Sequence, residues 1–382
     1  MADYSAKSSS SILIRALIRV LNCIYWLIKK KTEVEPNKIL FLSRQSDKPS
    51  LDYRMLFEEI QRQNPDVQIV AITSRIEKRN FEVFRREARI IWKQMYHLAT
   101  AKVCVVDGYN IPVSVLKKRE GQHIIQIWHS LGAIKKFGHQ CVSTKAQKRQ
   151  ARVLRMHKNY DSIICASQNW IPYYAKAFKC TTDKLKVIGL PRIDYLLTKQ
   201  KQNRAKIYRA HNDLRRKKII LYAPTFRNGA DDTAKINELL SQFDHKKYTV
   251  ILKAHPNMKY KNNHIYRCDD FSALQLLSIA DYVVTDYSAL ILEAMIADRP
   301  VMLYAYDYDK YYKDPGLNIN LKTELEPYFF TDAKKLANAI TRKKYSNDVE
   351  KAFLEKYIQT LGKDNAKQLA QYILSRLKEE EA

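Results

Sequence analysis

Glycine and proline are scarce in this chain, with 8 and 11 residues respectively among 382. Hydrophobic residues make up 46% of the sequence, so the composition excludes a low-complexity chain and is that of an ordinary globular protein. The length is sufficient for two domains, each with a hydrophobic core of its own.

Cysteine is also sparse, and its spacing lacks the Cys-x-x-Cys and Cys/His patterns of metal sites. The six cysteines are scattered, and several lie within apolar runs, as Cys104 does in residues 102–106. We therefore expect reduced thiols that act as small core residues, and a cytosolic location. We also expect that neither a metal ion nor another cofactor is required.

Acidic residues are too few to balance the basic ones, since 40 Asp and Glu against 67 Lys and Arg leave a formal net charge of +27. Such an excess indicates a negatively charged partner, and charge alone leaves nucleic acid, a phosphorylated substrate and anionic lipid open. Because the sequence lacks helix-turn-helix, zinc-finger and RNP-type patterns, nucleic acid is not the partner that we expect.

A long uninterrupted hydrophobic run is missing as well. Residues 12–28 are mostly apolar, but Arg15 and Arg19 lie inside them, and each would cost roughly 2.5–3.5 kcal/mol at the centre of a bilayer. With Asn22 they form a polar stripe at helical spacing, which predicts an amphipathic leader over residues 1–35 lying on an anionic membrane surface. A helix packed on the protein's own core is the alternative, and a signal sequence is disfavoured because no small-residue cleavage site follows.

Beyond the leader, short β-rich runs alternate with segments of helical periodicity, which predicts an α/β protein with parallel sheets covered on both faces. A polar and basic stretch at residues 198–218 interrupts the alternation, so we expect two α/β domains, residues 36–205 and 206–382, facing a cleft. The strands are predicted at residues 39–42, 67–72, 103–106, 124–129, 162–166, 185–189, 219–223, 248–253, 282–285 and 300–304.

The first candidate functional residue is His129, where an apolar, strand-like run ends and the chain turns through Gly132 into a basic segment. Polar groups at the carboxyl ends of parallel strands are where α/β enzymes bind their substrates. The alternative is a structural histidine that satisfies its hydrogen bonds at the end of a strand.

Three strand ends in the second half carry residues suited to phosphate. Arg227 follows one of them with a fork of donors that matches phosphate oxygens, and His255 with Pro256 follows another. Thr285 and Ser288 flank the start of a helix, where free N–H groups and the helix dipole favour an anion. Ordinary N-capping is the alternative for this turn.

Two further clusters are open to two interpretations each. A basic run is either a solvated face or a contact for a polyanion, and a group of tyrosines and aspartates is either a base- or sugar-binding loop or a polar loop packed on the C-terminal helix. The basic run comprises Lys135, Lys136, Lys145, Lys148, Arg149, Arg152 and Arg155. The tyrosine cluster comprises Tyr304, Tyr306, Tyr308, Tyr311 and Tyr312 with Asp307, Asp309 and Asp314.

The order of these motifs resembles that of the CDP-glycerol glycerophosphotransferase family of teichoic acid synthesis, over residues 38–375. Six motifs in matching order are far more specific than any one of them. They are Ile127-Trp128-His129 with Lys135-Lys136-Phe137-Gly138, then Gly189-Leu190-Pro191-Arg192-Ile193-Asp194, residues 221–227, residues 252–256, Thr285-Asp286-Tyr287-Ser288, and Arg299-Pro300 leading to residues 304–307.

The resemblance implies a glycosyltransferase-B-like fold of two Rossmann-like domains, with a CDP-linked donor held mainly by the second domain. His129 matches the family's general base, and His255 matches its second histidine. The donor-binding set implied in this way comprises Thr225, Arg227, Pro256, Thr285, Asp286 and Ser288. Lys135, Lys136 and Asp194 are assigned to the acceptor or to other contacts.

The reaction implied is transfer of glycerol phosphate from CDP-glycerol to a disaccharide on undecaprenyl diphosphate at the cytoplasmic face of the membrane, with release of CMP. The single catalytic unit with a short leader resembles the primase branch of the family. The alternatives are CDP-ribitol as donor, a nucleotide-sugar glycosyltransferase of the same fold, and a non-catalytic polyanion-binding protein at the membrane surface. Ser130 departs from the family pattern, since many members have glycine here, and residues 131–133 replace their usual Thr-Pro-Leu.

Overall fold

The computed structural model describes residues 8–75, 81–225, 227, 232–254, 265–342 and 347–378. Its strands are β1 (Glu35–Ser43), β2 (Gln68–Thr73), β3 (Ala101–Val106), β4 (His123–Gln126), β5 (Ser162–Cys165), β6 (Leu185–Val187), β7 (Lys218–Tyr222), β8 (Tyr248–Leu252), β9 (Ile265–Tyr266), β10 (Tyr282–Thr285), β11 (Val301–Tyr304) and β12 (Phe329–Phe330).

The α-helices lie between and around these strands. They are α1 (Ser8–Lys31), α2 (Leu51–Gln63), α3 (Phe81–Thr100), α4 (Ile111–Val115), α5 (Lys145–Val153), α6 (Ile171–Phe178), α7 (Arg192–Thr198), α8 (Gln200–Ala210), α9 (Thr233–Leu240), α10 (Ala273–Leu276), α11 (Leu290–Ile296), α12 (Tyr308–Tyr311), α13 (Leu321–Glu324), α14 (Ala333–Thr341), α15 (Asn347–Tyr357) and α16 (Asn365–Ser375).

The chain forms two compact units, each built on its own parallel sheet, which confirms the predicted α/β class. The first unit contains residues 1–130, 137–192 and 363–382, and the second contains residues 131–136 and 193–362. The main segment of the second unit therefore begins at residue 193, 13 residues before the predicted start at residue 206, and residues 363–382 belong to the first unit rather than the second.

The first unit has the strand order β2-β1-β3-β4-β5-β6. Its central strands read as continuous apolar runs because both faces are covered, and Phe41 and Val105 are fully buried. The C-terminal helix α16 completes this unit by packing on α2. The Gln63 Nε2 donates to the Lys367 carbonyl at 3.3 Å, and the Tyr372 hydroxyl lies 2.5 Å from the Ser162 hydroxyl.

The second unit has the strand order β12-β11-β10-β7-β8-β9. Every described pair in it is parallel, so the carboxyl ends of β7, β8 and β10 lie at the same edge. Val283 and Val284 of β10 and the helix α11 beside them are fully buried and form much of this core. The residues that the sequence predicted to bind phosphate follow strands that end at this edge.

The leader helix α1 is docked on the first unit along one face. Tyr25 and Ile28 are buried, and the Asn22 side chain donates to the Val115 carbonyl at 3.1 Å and accepts from the Lys117 amide at 3.0 Å. Asn22 therefore faces the protein, whereas the sequence predicted that it would share a polar stripe with Arg15 and Arg19. On this face α1 packs on its own domain, as the alternative interpretation predicted. Within the described residues, no helix has the length and apolar content needed to cross a membrane.

Candidate active site

The segment before His129 leaves its strand through a strained backbone turn. β4 ends at Gln126, and Trp128 has φ 58°, a left-handed conformation that is uncommon for a bulky residue. The Gln126 side chain holds this turn because its Oε1 accepts the Trp128 amide at 2.8 Å while its Nε2 donates to the Gly108 carbonyl at 3.0 Å. The strand predicted to run to the histidine is thus shorter, and the turn expected at Gly132 begins at Trp128.

An aromatic cluster fixes the Trp128 ring. Its centroid lies 4.5 Å from that of Phe137 in a stacked arrangement and 5.4 Å from that of Phe178 in an edge contact. Gly138 follows Phe137 with φ 56°, and a Cβ on it would lie 2.4 Å from the Ala177 carbonyl oxygen. Only glycine fits there, which explains the Phe-Gly pair of the motif.

His129 is oriented by a backbone carbonyl. Its Nδ1 lies 3.0 Å from the carbonyl oxygen of Asp107, whereas the Gln45 Nε2 lies farther away, at 3.4 Å. A carbonyl oxygen only accepts hydrogen bonds, so the closer contact requires the proton on Nδ1. The lone pair of the neutral ring is then on Nε2, as required of a general base. His129 itself is exposed.

Asp107, which sequence reasoning missed, contacts this histidine through its backbone carbonyl and carries a buried carboxyl group. It follows β3 directly and is 2% exposed. The pKa of Asp107 is raised to about 6, chiefly by burial; the charge of Asp52 also raises it, whereas a hydrogen bond with Ser43 and the charge of Arg192 lower it. Its position at the carboxyl end of a buried strand was the signal by which the sequence could have revealed it.

The Gly189–Asp194 motif is anchored to α2. Arg192 donates to Asp52 through its amide and Nε, each at 2.9 Å, and the Asp52 side chain is only 2% exposed. This buried pair holds the start of α7. Asp194, assigned to the acceptor or other contacts, lies half-buried in the first turn of that helix, and its carbonyl accepts from the Thr198 hydroxyl at 2.7 Å.

In the second unit, Arg227 lies at the centre of a buried ionic network. Its Nε and Nη2 bind the Asp307 carboxylate at 2.6 and 2.9 Å, and its Nη2 lies 3.0 Å from Asp286. Burial would lower the pKa of Arg227, but Asp307 and Asp286 outweigh this effect and raise it. The guanidinium fork is occupied by carboxylates in this state, so direct contact with a donor phosphate, as predicted, would require one of them to move.

Asp286 ties the β10 and β7 strand ends together. Its carboxylate accepts from the Thr225 amide at 3.0 and 3.1 Å, from the Thr225 hydroxyl at 2.5 Å and from the Tyr287 amide at 2.6 Å. Asp286 is 2% exposed. Thr225 and Asp286, both predicted to bind the donor, therefore organise this strand edge.

The tyrosine cluster encloses the same arginine. The Arg227 guanidinium lies 4.6 Å from the Tyr306 ring centroid, and Tyr287 stacks on Tyr311 at 4.0 Å. The Tyr287 hydroxyl donates to Asp307 at 2.8 Å. The cluster therefore lies beside Arg227, and its role as a base- or sugar-binding loop stays a prediction.

Lys135 and Lys136 belong to the second unit through backbone pairing. Lys135 bridges Leu317 in antiparallel fashion, and the Lys136 amide donates to the Gly316 carbonyl at 3.0 Å. Burial lowers the pKa of Lys135, and the charges of Asp286 and Arg227 raise and lower it respectively. A partly buried ammonium group thus lies within the electrostatic reach of the Arg227 network.

The two hydroxyls at the predicted anion-binding turn have structural partners. Thr285 is fully buried and donates to the Ala223 carbonyl at 2.8 Å, and Ser288 accepts the Leu290 amide at 3.2 Å. The helix α11 begins at Leu290. The capping interpretation therefore describes Ser288 in this state.

His255 and Pro256 lie outside the described residues. Among the residues that are described, one group has metal-ligand character: ligand atoms of His211, Cys268 and Asp270 lie within 4.8 Å of one another. The His211 Nε2 is 3.0 Å from Asp270, and its Nδ1 is 3.0 Å from the Tyr266 hydroxyl. The sequence did not reveal this group, because His211 is far in sequence from Cys268 and Asp270.

The sequence matches a known protein family over most of its length. A profile described as CDP-Glycerol:Poly(glycerophosphate) glycerophosphotransferase matches residues 24–375. The teichoic acid ribitol-phosphate primase of Bacillus spizizenii is 28% identical, with 96% of this chain and 98% of that protein aligned. The teichoic acid glycerol-phosphate primase of Bacillus subtilis is 31% identical over 65% of this chain and 67% of that protein.

Solved structures share the fold at low sequence identity. The wall teichoic acid polymerase TagF, soaked with CDPG, aligns with a TM-score of 0.73 at 19% identity, over 98% of this chain and 99% of that one. The UDP-GlcNAc 2-epimerase of Neisseria meningitidis aligns with a TM-score of 0.57 at 13% identity, over 90% and 100% of the two chains. The glycosyltransferase-B-like arrangement of two parallel sheets is thereby confirmed.

Proposed function

The chain belongs to the CDP-glycerol:poly(glycerophosphate) glycerophosphotransferase family, and on that premise we propose that it transfers a polyol phosphate in wall teichoic acid synthesis. The donor is CDP-glycerol and the acceptor is a disaccharide on undecaprenyl diphosphate. The names of its relatives, which are primases and polymerases of teichoic acids, support this class of reaction.

The observation that carries the proposal is the geometry of His129. Its Nδ1 is held on the Asp107 carbonyl at 3.0 Å, which leaves Nε2 to take a proton. The acceptor hydroxyl attacks the β-phosphorus of the donor while Nε2 removes its proton. The new bond joins the acceptor oxygen to the β-phosphorus, and the bond from this phosphorus to the bridging oxygen breaks, so that CMP leaves with the electron pair.

The second unit holds the donor in this proposal. Positioning and electrostatic stabilisation are the main contributions that a protein makes to phosphoryl transfer. Lys135 and His255 bind the diphosphate, and Arg227 positions the strand edge through Asp286 and Asp307. Thr225, Thr285 and Ser288 shape the donor pocket through their hydrogen bonds, Pro256 is assigned to the same donor-binding set, and Lys136 and Asp194 contact the acceptor.

The protein works at the cytoplasmic face of an anionic membrane, to which α1 attaches peripherally. In support, α1 exposes apolar side chains to solvent outside its docked face, among them Leu13, Leu17 and Trp26, which are 73%, 57% and 55% exposed. An exposed apolar stripe with lysines near its end is the arrangement of a helix that lies in a membrane interface.

The experiment is incubation of the purified protein with a lipid-linked disaccharide and, separately, CDP-glycerol, CDP-ribitol or a UDP-sugar. We expect release of CMP from CDP-glycerol. CMP from CDP-ribitol alone would support ribitol phosphate, the second candidate, which the 96% alignment with a ribitol-phosphate primase favours. UDP release would indicate a nucleotide-sugar transferase, and the absence of CMP with both polyol donors would overturn the proposal.

A further inference from the structure

A second cluster of polar side chains lies in the second unit, at the turn that follows the edge strand β9. Cys268 and Asp270 are two residues apart in this segment, and His211 directly follows helix α8. One ligand atom from each residue, a nitrogen, a sulfur and a carboxylate oxygen, lies within 4.8 Å of the other two. None of the three residues takes part in the proposed transfer reaction.

The imidazole of His211 is oriented by a chain of two hydrogen bonds. Its Nδ1 lies 3.0 Å from the Tyr266 hydroxyl, which in turn donates to Asp213 at 2.9 Å. Because the hydroxyl proton is given to the carboxylate, the Tyr266 oxygen accepts, and Nδ1 of the imidazole carries a proton. Nε2 is then the nitrogen that faces a ligand, and metal-binding histidines almost always donate their other N–H in this way.

The Nε2 atom of His211 points at the carboxylate of Asp270. The distances to the two carboxylate oxygens are 3.1 and 3.0 Å, so a shared proton would make this contact an ordinary ion pair. Cys268 distinguishes the group from such a pair, because its side chain supplies a sulfur ligand at the same place. The cysteine is 1% exposed, which fixes it in the core beside the other two residues.

The combination of nitrogen, sulfur and oxygen ligands fits zinc. Mg²⁺ and Ca²⁺ prefer oxygen ligands alone, whereas thiolate and imidazole are typical ligands of Zn²⁺. One thiolate and one carboxylate balance the two positive charges of the ion, so the occupied site is neutral. Three protein ligands leave the fourth tetrahedral position to water. The Asp270 side chain is 53% exposed, which gives the ion a route of entry from solvent.

We propose that Nε2 of His211, Sγ of Cys268 and a carboxylate oxygen of Asp270 bind one Zn²⁺ ion with a structural role. On binding, the thiol proton of Cys268 is released to solvent, and the ion replaces the proton between His211 and Asp270. The ion takes no part in the transfer of polyol phosphate, so the site does not depend on the proposed function.

The ion would join two segments that lie on either side of β8. His211 precedes β7 and Cys268 follows β9, and β8 separates these two strands in the sheet. The edge strand β9 pairs with β8 through Ile265 and Tyr266 alone. Lys253, directly after β8, donates to the Cys268 carbonyl at 3.0 Å. Because so short a strand gains little from its own pairing, a metal bridge from residue 268 to residue 211 would hold this edge of the unit in place.

The first test is Co²⁺ binding to tag-free protein from which a chelator has removed bound metal. Co²⁺ takes the same ligands as Zn²⁺, and a cobalt–thiolate bond absorbs in the near ultraviolet by charge transfer. We expect one Co²⁺ per protein with this band in wild type and no band in Cys268→Ser. Cys180→Ser should keep the band, since this half-buried thiol lies near Asp183 but outside the group. A wild type without the band, or Cys268→Ser with it, would overturn the site.

The second test compares Zn²⁺ affinities by competition with a chromophoric chelator. Tyr266→Phe should bind about 10–100-fold more weakly, because it removes the outer partner of the histidine, and Asp270→Ala should lose still more. Asp269→Ala is the matched control, since that carboxylate accepts from Arg267 at 2.5 and 3.0 Å and should not affect the affinity. Equal affinities of wild type and Asp270→Ala would refute the ligand set, and equal affinities of wild type and Tyr266→Phe would refute the orienting role of the tyrosine.

The third test is the effect of Zn²⁺ on the melting temperature, which shows whether the ion stabilises the fold. We expect Zn²⁺ to raise the melting temperature of wild type and of Asp269→Ala but not that of Asp270→Ala. Asp270 is exposed, so Asp270→Ala should melt like wild type when a chelator is present. A wild-type melting temperature that Zn²⁺ leaves unchanged would refute the structural role. An equal rise in wild type and Asp270→Ala would assign the bound zinc to another place.

Discussion

Replacing Asp107 with asparagine should make the protein more stable at neutral pH. The wild-type carboxyl is 2% exposed, and its burial raises the pKa from 3.8 to about 6. At about 1.36 kcal/mol for each unit of pKa, ionising this group in the folded state costs about 3 kcal/mol in all. Asparagine carries no charge and avoids that cost.

The sign of the pH dependence of stability follows from the direction in which the pKa of Asp107 is shifted. Because the folded-state pKa is raised, the stability that the neutral carboxyl contributes is fully present below about pH 4 and is lost as the pH rises through about 6. Between pH 5 and pH 8 the free energy of unfolding of wild type should therefore fall by about 1.5 kcal/mol relative to that of Asp107→Asn.

Urea unfolding of both proteins at pH 5 and pH 8 measures this difference, with the first unit followed by tryptophan fluorescence, because all four tryptophans lie in it. Asp66→Asn, at an exposed position of the same unit, controls for the loss of one carboxylate. A wild-type to Asp107→Asn difference that is the same at both pH values, within about 0.5 kcal/mol, would refute the assignment of a buried carboxyl group with a raised pKa at Asp107.

Three further substitutions test other parts of the structure. Arg227→Ala removes the cation that pairs with the buried carboxylate of Asp286 and the partly buried carboxylate of Asp307, and it should destabilise the second unit by about 3–5 kcal/mol, measured by urea unfolding; a loss below about 1 kcal/mol would contradict the network. Gly138→Ala should cost about 1–2 kcal/mol or more because its φ is positive and its Cβ meets the Ala177 carbonyl, and a neutral effect on the melting temperature would show that the turn adapts. Glu350→Gln should stabilise the protein above about pH 7 but not at pH 5, since burial raises the pKa of Glu350 to about 7, and equal melting shifts at both pH values would argue against that burial.

The strands of both sheets were predictable because their pattern is local. Buried parallel strands read as continuous apolar runs, and the predicted strands at residues 39–42 and 282–285 lie within β1 and coincide with β10. The two-residue edge strands β9 and β12 were missed because so short a pairing leaves no periodic signal. Helix α8 was also missed, because it lies in the stretch interpreted as a polar interruption and carries only a few apolar residues at helical spacing.

The candidate site was predictable as a set of strand ends but not as a network. Motif order identified His129 and Arg227, whereas the partners of each come from distant positions: the Asp107 carbonyl for the histidine and Asp307 for the arginine. Such pairing is fixed by the tertiary fold, because residues 80 positions apart are brought together only when their strands join one sheet. The burial of the Asp107 carboxyl group is also set by the tertiary fold, so the sequence alone did not predict it.

The roles of His129 and Ser130 remain predictions. Ser130 lies half-buried, and its carbonyl accepts a hydrogen bond from the Tyr174 hydroxyl at 3.2 Å. That contact uses the backbone, so a glycine at this position would retain it. The departure from the family pattern is thus compatible with the same local turn.

The rate of CMP release by His129→Ala tests the central claim most directly. Removal of a general base lowers turnover by about 10²–10⁴-fold. We expect this loss in the presence of CDP-glycerol and a lipid-linked disaccharide, with unchanged urea unfolding, whereas His123→Ala, at the start of the strand that precedes His129, should retain activity close to wild type. Turnover of His129→Ala above about a tenth of the wild-type rate would contradict the assignment of His129 as the base.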